Sequence, residues 1–592
     1  MARVTHLLVA LRRLPTLLRT LRHLRGEQAR AQLRHLMGGA AAPVRLDAPA
    51  PRLAVAGPAT DFLDPPAHVR AIGGSRIELL ARPFDLGEVT RAAEDRRSTD
   101  WDSTGEGPLF AYHLHQHEYL RLDHFTPRER ALRMLDWVRH HRRGVGWDPH
   151  PISLRLLCWG KLLSTPGSLE LEAGEQEALL ASMADQAETL RRGVEVRLQA
   201  NHLLSNWIAV VWSGLLLDGG RSGDWLASAS ALAHEIEAQI HADGGHEERS
   251  PMYHALLLEA FLDLLNLCCA APERVPAGLE AKLRSAAARM LEALEVWTHA
   301  DGRIALFADS AFDVASEPAR LVDYAARLGL SVSGARATSC LLPDSGYLRL
   351  CQGEVRLIAS IAGPAPVHQP GHAHCDALAF ELAFGSLVFV SDTGLYEYVP
   401  GPRRARSRET ASHATLQIDG QEQAEIWAAH RIGGRPRVRL IEWQGGASAE
   451  AGCRSWSRPR TEHRRRWQVE AEGATIVDRI EGPCRHARLT LPLAPGWSVD
   501  LAQRSHAIAR FTPPASGGES GEPQSAATAD ALATRRSAFA EMQIEVSLPP
   551  ELAWRVEQAP FYPSFGCEVE RAVLVGEGPG FSQAVTRIAR VG

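Results

Sequence analysis

GHAHCDALAFELAFGSLVFVSDTG, Gly371 to Gly394, is the stretch whose reading decides the fold of the second half of this chain. Ala377 to Phe384 and Leu387 to Ser391 read as strands, and Gly385-Ser386 between them suits a two-residue turn whose first position needs positive φ. His372, His374 and Asp376 crowd the entrance of this hairpin and Asp392 lies at its exit. In an ideal register for that turn Asp392 faces Ala379 rather than His374, so a shared site requires the segment ahead of the first strand to curl back. On this stretch alone the same residues also read as strand caps and turn formers.

Outward from the hairpin, the texture stays that of strands. Tyr347 to Leu350, Val355 to Ile361, Ala414 to Ile418, Arg437 to Trp443, Arg464 to Val469, Thr475 to Ile480, Ala487 to Leu493 and Met542 to Ser547 are short apolar alternations with no helix between them. That pattern predicts antiparallel packing rather than a parallel α/β sheet. Residues 513–533 are low-complexity and predict a mobile loop. From about 108 to 330 the helical period dominates instead, in blocks such as Ser153 to Leu163, Leu203 to Leu217, Pro251 to Ala270 and Gly278 to Ala300. So many helices with short connections predict an all-α ring or stack of helical hairpins, without the fixed period of a solenoid.

The 592 residues exceed what one core organises, and 45% hydrophobic with 23% charged residues is a globular composition. A net charge of -5 gathers no polyanion by a global field, which argues against nucleic acid and leaves any anionic ligand to local arginines. Nine scattered cysteines without a C-x-x-C pair imply neither a disulfide framework nor a cysteine zinc site. The first 35 residues carry eight arginines and one glutamate, with no uninterrupted apolar core of signal-peptide length and no small-residue cleavage site. Leu7, Leu11, Leu14, Leu18 and Leu21 form an amphipathic stripe with Arg12, Arg13, Arg19, Arg22 and Arg25 outside it, kinked at Pro15. Contact with a membrane surface and docking on the body of the protein or on a partner are both open for this helix.

Three polar clusters stand against these frameworks. Asn201-His202 precedes an apolar run, where Asn201 also reads as an ordinary N-cap. In DGGHEERSPMYH, Asp243 to His254, Ser250 is a good N-cap and Pro251 a good first helical residue. Tyr253 and His254 then fall in the first turn, where the helix dipole favours a phenolate. The third cluster is the hairpin with its continuation: His374, Asp392 and His413 offer two imidazoles and a carboxylate, a set suited to zinc. Arg403, Arg404, Arg406 and Arg408 read as a solvated basic loop.

These motifs, with GWDPHPISLRLLCWGKLL (146–163), DSGYLRL (344–350), SHATLQIDG (412–420) and VDRIEG (477–482), resemble the heparinase II/III-like polysaccharide lyases from about residue 108 to 580. The resemblance implies an N-terminal α/α toroid, an incomplete helical barrel, followed by a C-terminal antiparallel β-sandwich. Domains are expected at 1–40 (basic helix), 41–105 (linker or extended arm), 106–335 (toroid) and 336–592 (sandwich). It also implies β-elimination at a uronic acid of an acidic polysaccharide such as a glycosaminoglycan, alginate or exopolysaccharide. Asn201, with His202 beside it, would take up charge on the uronate, with Tyr253 transferring a proton at O4 and His372 acting as the second base, suited by a free pKa of about 6.5. His374, Asp392 and His413 would hold a structural Zn2+, and Glu248, Arg249, His254, Tyr398, Arg406 and Arg408 join as candidates for substrate contact. Departures from the family pattern are Ala414 after His413 and Ala308 where Asn is commoner.

The family places such enzymes in the cell envelope or periplasm, in tension with the absent export signal, which favours the cytoplasm. Oligomeric state is open, a homodimer included. A second reading is a catalytically weak or inactive glycan-binding protein of exopolysaccharide biosynthesis. A third, a glycoside hydrolase on the same ring, needs a carboxylate pair across the cleft, for which Asp243, Glu247 and Glu248 are the candidates.

Overall fold

The computed structural model describes residues 14–38, 42–89, 99–103, 107–331, 338–512 and 542–591. The loop expected at 513–533 lies outside them, as do Leu7, Leu11, Arg12 and Arg13. Between Pro108 and Arg327 the described chain is helical, with ten α-helices and no sheet of its own beyond a two-residue strand. The helices Pro149–Ser164, Ala200–Leu216 and Pro251–Ala270 pack side by side. Gly160 permits the first of these contacts: a Cβ there would stand 2.3 Å from Trp212 Nε1. Pro251–Ala270 is apolar and long enough to cross a bilayer, yet 72% of its most apolar window is buried in the ring. Between Ser222 and Gln239 the chain forms two helices, Ser222–Ala227 and Ala229–Gln239, broken at Ser228.

The second half forms antiparallel sheets. Five strands from Cys340–Leu342 to Leu387–Val390 make one sheet, eight a second and four a third. Leu350, Leu357, Phe380 and Phe389 from the first share a core with Trp467, Ile476 and Leu574 from the others. The hairpin turns as its sequence predicts: Leu387 pairs with Phe384 and Gly385 has φ 57°. A bulge between Val388 and Val390 then shifts the register. Its first strand begins at Phe380, not Ala377, because Leu378 has φ 62° and the Ala379 N–H bonds the Asp376 carbonyl. Residues 371–379 are thereby turned back as a loop, and this brings His374 to Asp392 where an ideal ladder would not.

Residues 41–105, expected as a linker or arm, carry more structure than that. Val69–Gly73, Arg76–Leu79 and Arg82–Asp85 form a three-stranded meander, and Arg52–Leu53 pairs with Leu217–Asp218 of the ring. Ile77 and Leu79 alternate inward and join the ring's core, a short pattern masked by the surrounding Pro and Gly.

Residues 14–21 and Gly26–Gly38 are helical and lie along both halves by their polar side. Thr16 and Arg19 bond Glu425, Trp427 Nε1 donates to Thr20 Oγ1 (3.0 Å), and Arg25 reaches Gln199 (3.1 Å). Leu14, Leu17, Leu18, Leu21, Leu33, Leu36 and Met37 are left exposed.

Two carboxylates bolt the halves together. Asp243, in the ring, takes the N–H groups of Asp344 and Ser345 and the Ser345 hydroxyl. Glu381, on the hairpin, takes His299 Nε2 (2.7 Å) and the Leu306 N–H (3.1 Å) from the end of the ring, and the Asp392 N–H (2.8 Å).

Candidate active site and metal centre

A cavity of about 190 Å³ opens where the ring meets the sheets. Three helices begin at its mouth, and the residues lining it there stand in their first turns: His150, Asn201, and Met252 with Tyr253. Their N-terminal ends direct positive dipole ends towards one space, an arrangement that favours an anionic ligand. Tyr398 and Phe565 close it from the sheet side.

Asn201 does not cap its helix; Gln199 occupies that position, and Gln199 and Ala200 hold φ of 63° and 49°. The Asn201 side chain instead donates to both Glu248 oxygens, at 2.8 and 2.9 Å. A carboxamide carries two N–H donors and a carbonyl, so Glu248 fixes its orientation and leaves capacity for a ligand. His202 Nδ1 meets Glu195 at 3.0 Å. Burial opposes the charged ring, but Glu195 outweighs it and holds the His202 pKa above the ordinary imidazole value.

Ser250 caps the next helix as predicted, accepting from the Tyr253 N–H. The Tyr253 hydroxyl lies 2.7 Å from that of Tyr398, and its ring packs on His372 with centroids 4.1 Å apart. The expected dipole effect on Tyr253 is overridden: burial pushes its pKa up, so it rests as a phenol, equipped to give a proton rather than take one.

His372 is organised by a residue that sequence reasoning passed over. Asp309 lies in the connection leaving the ring, and its Oδ2 bonds His372 Nδ1 at 2.8 Å while its Oδ1 bonds His374 Nε2 at 2.7 Å. Arg404 grips both carboxylate oxygens from the other side. Burial disfavours this carboxylate, yet Arg404 and the two imidazoles hold its pKa well below the usual range. With Nδ1 committed to Asp309, His372 presents Nε2 to solvent or substrate.

The four arginines thus part company. Arg404 is buried behind His372, contrary to the solvated loop expected. Arg408 is also buried and donates to the carbonyls of Ala373, Ala428 and Ala429, so it shapes the loop and does not face the cleft. Arg403 and Arg406 point outward to Glu568 and Glu409. His254 bonds the Met290 carbonyl inside the ring, and Arg249, at φ 58°, ties to the carbonyls of Gly363 and Asp344. Of the substrate-contact candidates, Tyr398 lines the cavity and Glu248 stands behind Asn201. Ala308, at φ 54°, explains its own oddity: Asn tolerates the left-handed region better than Ala, so the departure falls on backbone strain beside Asp309.

His374, Asp392 and His413, a set named by residue type whose spacing alone does not bring it together, converge with one ligand atom of each within 4.8 Å of the others, all buried. His413 Nδ1 lies 2.9 Å from both Asp392 oxygens. His374 Nδ1 and His413 Nε2 are buried without a partner, and an orphaned imidazole nitrogen beside a carboxylate is what a metal ligand set requires. The residues fit a zinc-sized cation.

A helical ring closed on antiparallel sheets, with a histidine–tyrosine cleft at their junction, defines the architecture of the toroid-and-sheet polysaccharide lyases. The chain matches "Heparinase II/III N-terminus" over residues 143–319 and "Heparinase II/III-like, C-terminal" over residues 335–550, and it belongs to the heparinase II/III-like family. Similar solved structures include a heparinase III, with TM-score 0.64 and 16% identity over 86% of this chain and 81% of that one. The heparan sulfate lyase HepC of Pedobacter heparinus gives 0.54 and 16% over 88% and 81%. At such identities the likeness is one of fold. A curated relative, FtsZ-localized protein C of Caulobacter vibrioides, is 28% identical over 65% of this chain, a match that takes in 63% of the relative's own length.

Proposed function

We propose that the protein is a polysaccharide lyase that cleaves a uronic-acid-containing glycan by β-elimination. The observation that carries this reading is the meeting of Asn201, Tyr253 and Tyr398 on one cavity, with His372 packed against Tyr253. Abstraction of the C5 proton needs a base, a means of taking up charge on the uronate, and a proton for the leaving O4. His372 Nε2, turned outward by Asp309, is the base. Asn201 receives the carboxylate, aided by His202 beside it and by three helix N-termini. Tyr253, a phenol at rest, gives its proton to O4, with Tyr398 sharing the hydrogen bond.

Among the cavity's lining residues the one lysine, Lys161, is already paired with Asp263 at 2.5 Å. That favours a carboxylated glycan over a heavily sulfated one. The test is ultraviolet absorbance of the unsaturated product against alginate, hyaluronan, chondroitin sulfate and heparan sulfate. Elimination creates this chromophore and hydrolysis does not, so cleavage without it would overturn the reading. A hydrolase has little support here, because Asp243 is tied into the sheet half and Glu247 packs near Arg25 and His368.

A second reading, a glycan-binding protein of low turnover, is favoured by one observation: the curated relative is named for its localization to FtsZ and not for an activity. Binding without product on every uronan tried would support it. Cell fractionation distinguishes the envelope from the cytoplasm as the site of action.

His374, Asp392 and His413 would hold a structural zinc that orders the hairpin next to His372; the ion supplies no group to the reaction. At a free concentration of about 100 times its Kd, zinc is expected to stabilise the fold by about 2.7 kcal/mol. His413→Ala should take this site's increment out of a thermal scan, and chelation should remove it. Zinc needs neutral imidazoles, so the increment fades on acidification.

The N-terminal helices extend this reading to a surface. Their leucines face outward and Arg22, Arg30 and Arg34 are exposed beside them, the composition of a helix that lies on anionic lipid. Vesicles containing phosphatidylglycerol should pull the protein down, phosphatidylcholine vesicles should not, and Leu17→Ser with Leu18→Ser should release it without loss of cleavage.

A further inference from the structure

A second group of metal-binding side chains lies on the wall of the cleft. His150 is the second residue of its helix and His202 the third of its own, and Glu195 sits in the connection leading to the latter. One ring nitrogen of each histidine and one carboxylate oxygen of Glu195 lie within 4.8 Å of one another. The imidazoles are stacked, with centroids 4.3 Å apart and planes inclined by 29°. The scaffold is tied: the Asn206 side chain accepts from the Glu195 N–H at 2.8 Å and donates to Ser153 Oγ at 3.0 Å, joining the connection to both helices.

We propose that a divalent transition-metal ion of zinc-like preference binds between His150, Glu195 and His202, with its open coordination position facing the cleft. Two imidazoles and one carboxylate are an established ligand chemistry for such ions, and three protein ligands with a free position mark a site that takes a further ligand. The contrast with the other cluster is informative. His374, Asp392 and His413 are all buried, as in a closed structural site, whereas His150 and His202 are half-exposed and only Glu195 is buried. His150 Nδ1 is buried without a partner, an independent sign that this group is incomplete. Stacked imidazoles cannot both be charged cheaply, and one shared cation satisfies both rings and the buried carboxylate together. His150 lines the same cavity as Asn201 and Tyr253, so the ligand completing the shell would be a carboxylate oxygen of an acidic sugar.

Metal content tests this independently of turnover. The protein is loaded with excess zinc, desalted and measured by plasma mass spectrometry. Wild type should hold two equivalents, His150→Ala and Glu195→Gln one each, and His374→Ala one. Tyr253→Phe should hold two whether or not the lyase reading survives. His150→Ala removes a half-exposed side chain and guards against a folding failure of Glu195→Gln; circular dichroism checks both. Cobalt in place of zinc should give visible bands that Glu195→Gln reduces in wild type and abolishes in a His374→Ala background. No metal in His374→Ala, or as much in His150→Ala as in wild type, would overturn the proposal and leave a metal-free Glu195–His202 ion pair.

Discussion

Tyr253→Phe is expected to cut elimination by about 10²- to 10⁴-fold, the usual contribution of a positioned proton-transfer group, while leaving glycan binding close to wild type. The substitution removes one oxygen and its 2.7 Å bond to Tyr398; the ring that packs on His372 stays. A single hydrogen bond contributes about 0.5–1.5 kcal/mol net, so the fold survives and a lost rate cannot be blamed on unfolding. Because burial keeps this phenol protonated, its loss falls on departure of O4, and substrates with better leaving groups should suffer less. Initial rates from ultraviolet absorbance, set beside calorimetric titration with the same oligosaccharide, separate the two quantities. Undiminished turnover in the variant would move proton transfer elsewhere, Tyr398 first. Equal binding and no turnover in either protein would favour the glycan-binding reading.

How far the sequence could be read follows the range of each interaction. Helices and caps are local, so Ser250, Pro251 and the stripe behind them were legible, as were the Gly385 turn and strands such as Arg437–Trp443. Ser448–Arg454 (SAEAGCR) escaped notice because small residues carry little strand signal; it is a strand by virtue of neighbours on both sides. The histidine–aspartate–histidine cluster was nameable by type, but its assembly depends on a left-handed Leu378 and a bulge that no local preference announces. Arginine at Arg404 looks like any surface arginine until its partner is known. That partner, Asp309, is 95 residues away and bears no motif, the only hint being a lone acid behind Phe307-Ala308.

Asp309→Asn should be nearly as damaging as loss of Tyr253, for two separable reasons. The first is chemical. Asp309 accepts from His372 Nδ1, which places the base's lone pair on Nε2; an amide can present N–H to that nitrogen and favour the opposite tautomer. In a catalytic triad the same exchange behind a histidine lowers kcat by about 10⁴, and a loss of about 10² to 10⁴ is expected here. The second is structural. Asp309 is wholly buried and balances Arg404, and stranding one member of a buried pair costs about 3–5 kcal/mol. The sign with pH is fixed by the lowered pKa of Asp309: its contribution is present above the unfolded value of about 3.9 and is lost as pH falls through the folded one. Denaturant titrations at neutral and acid pH should therefore find the variant much weaker near neutrality and the gap narrowing in acid. Arg404→Met separates the two effects, since it keeps the Asp309–His372 bond and removes the counter-charge. It should lose stability on the same scale and retain more activity than Asp309→Asn. If both variants lose activity equally, Asp309 acts through the packing of the loop and not through the tautomer of His372.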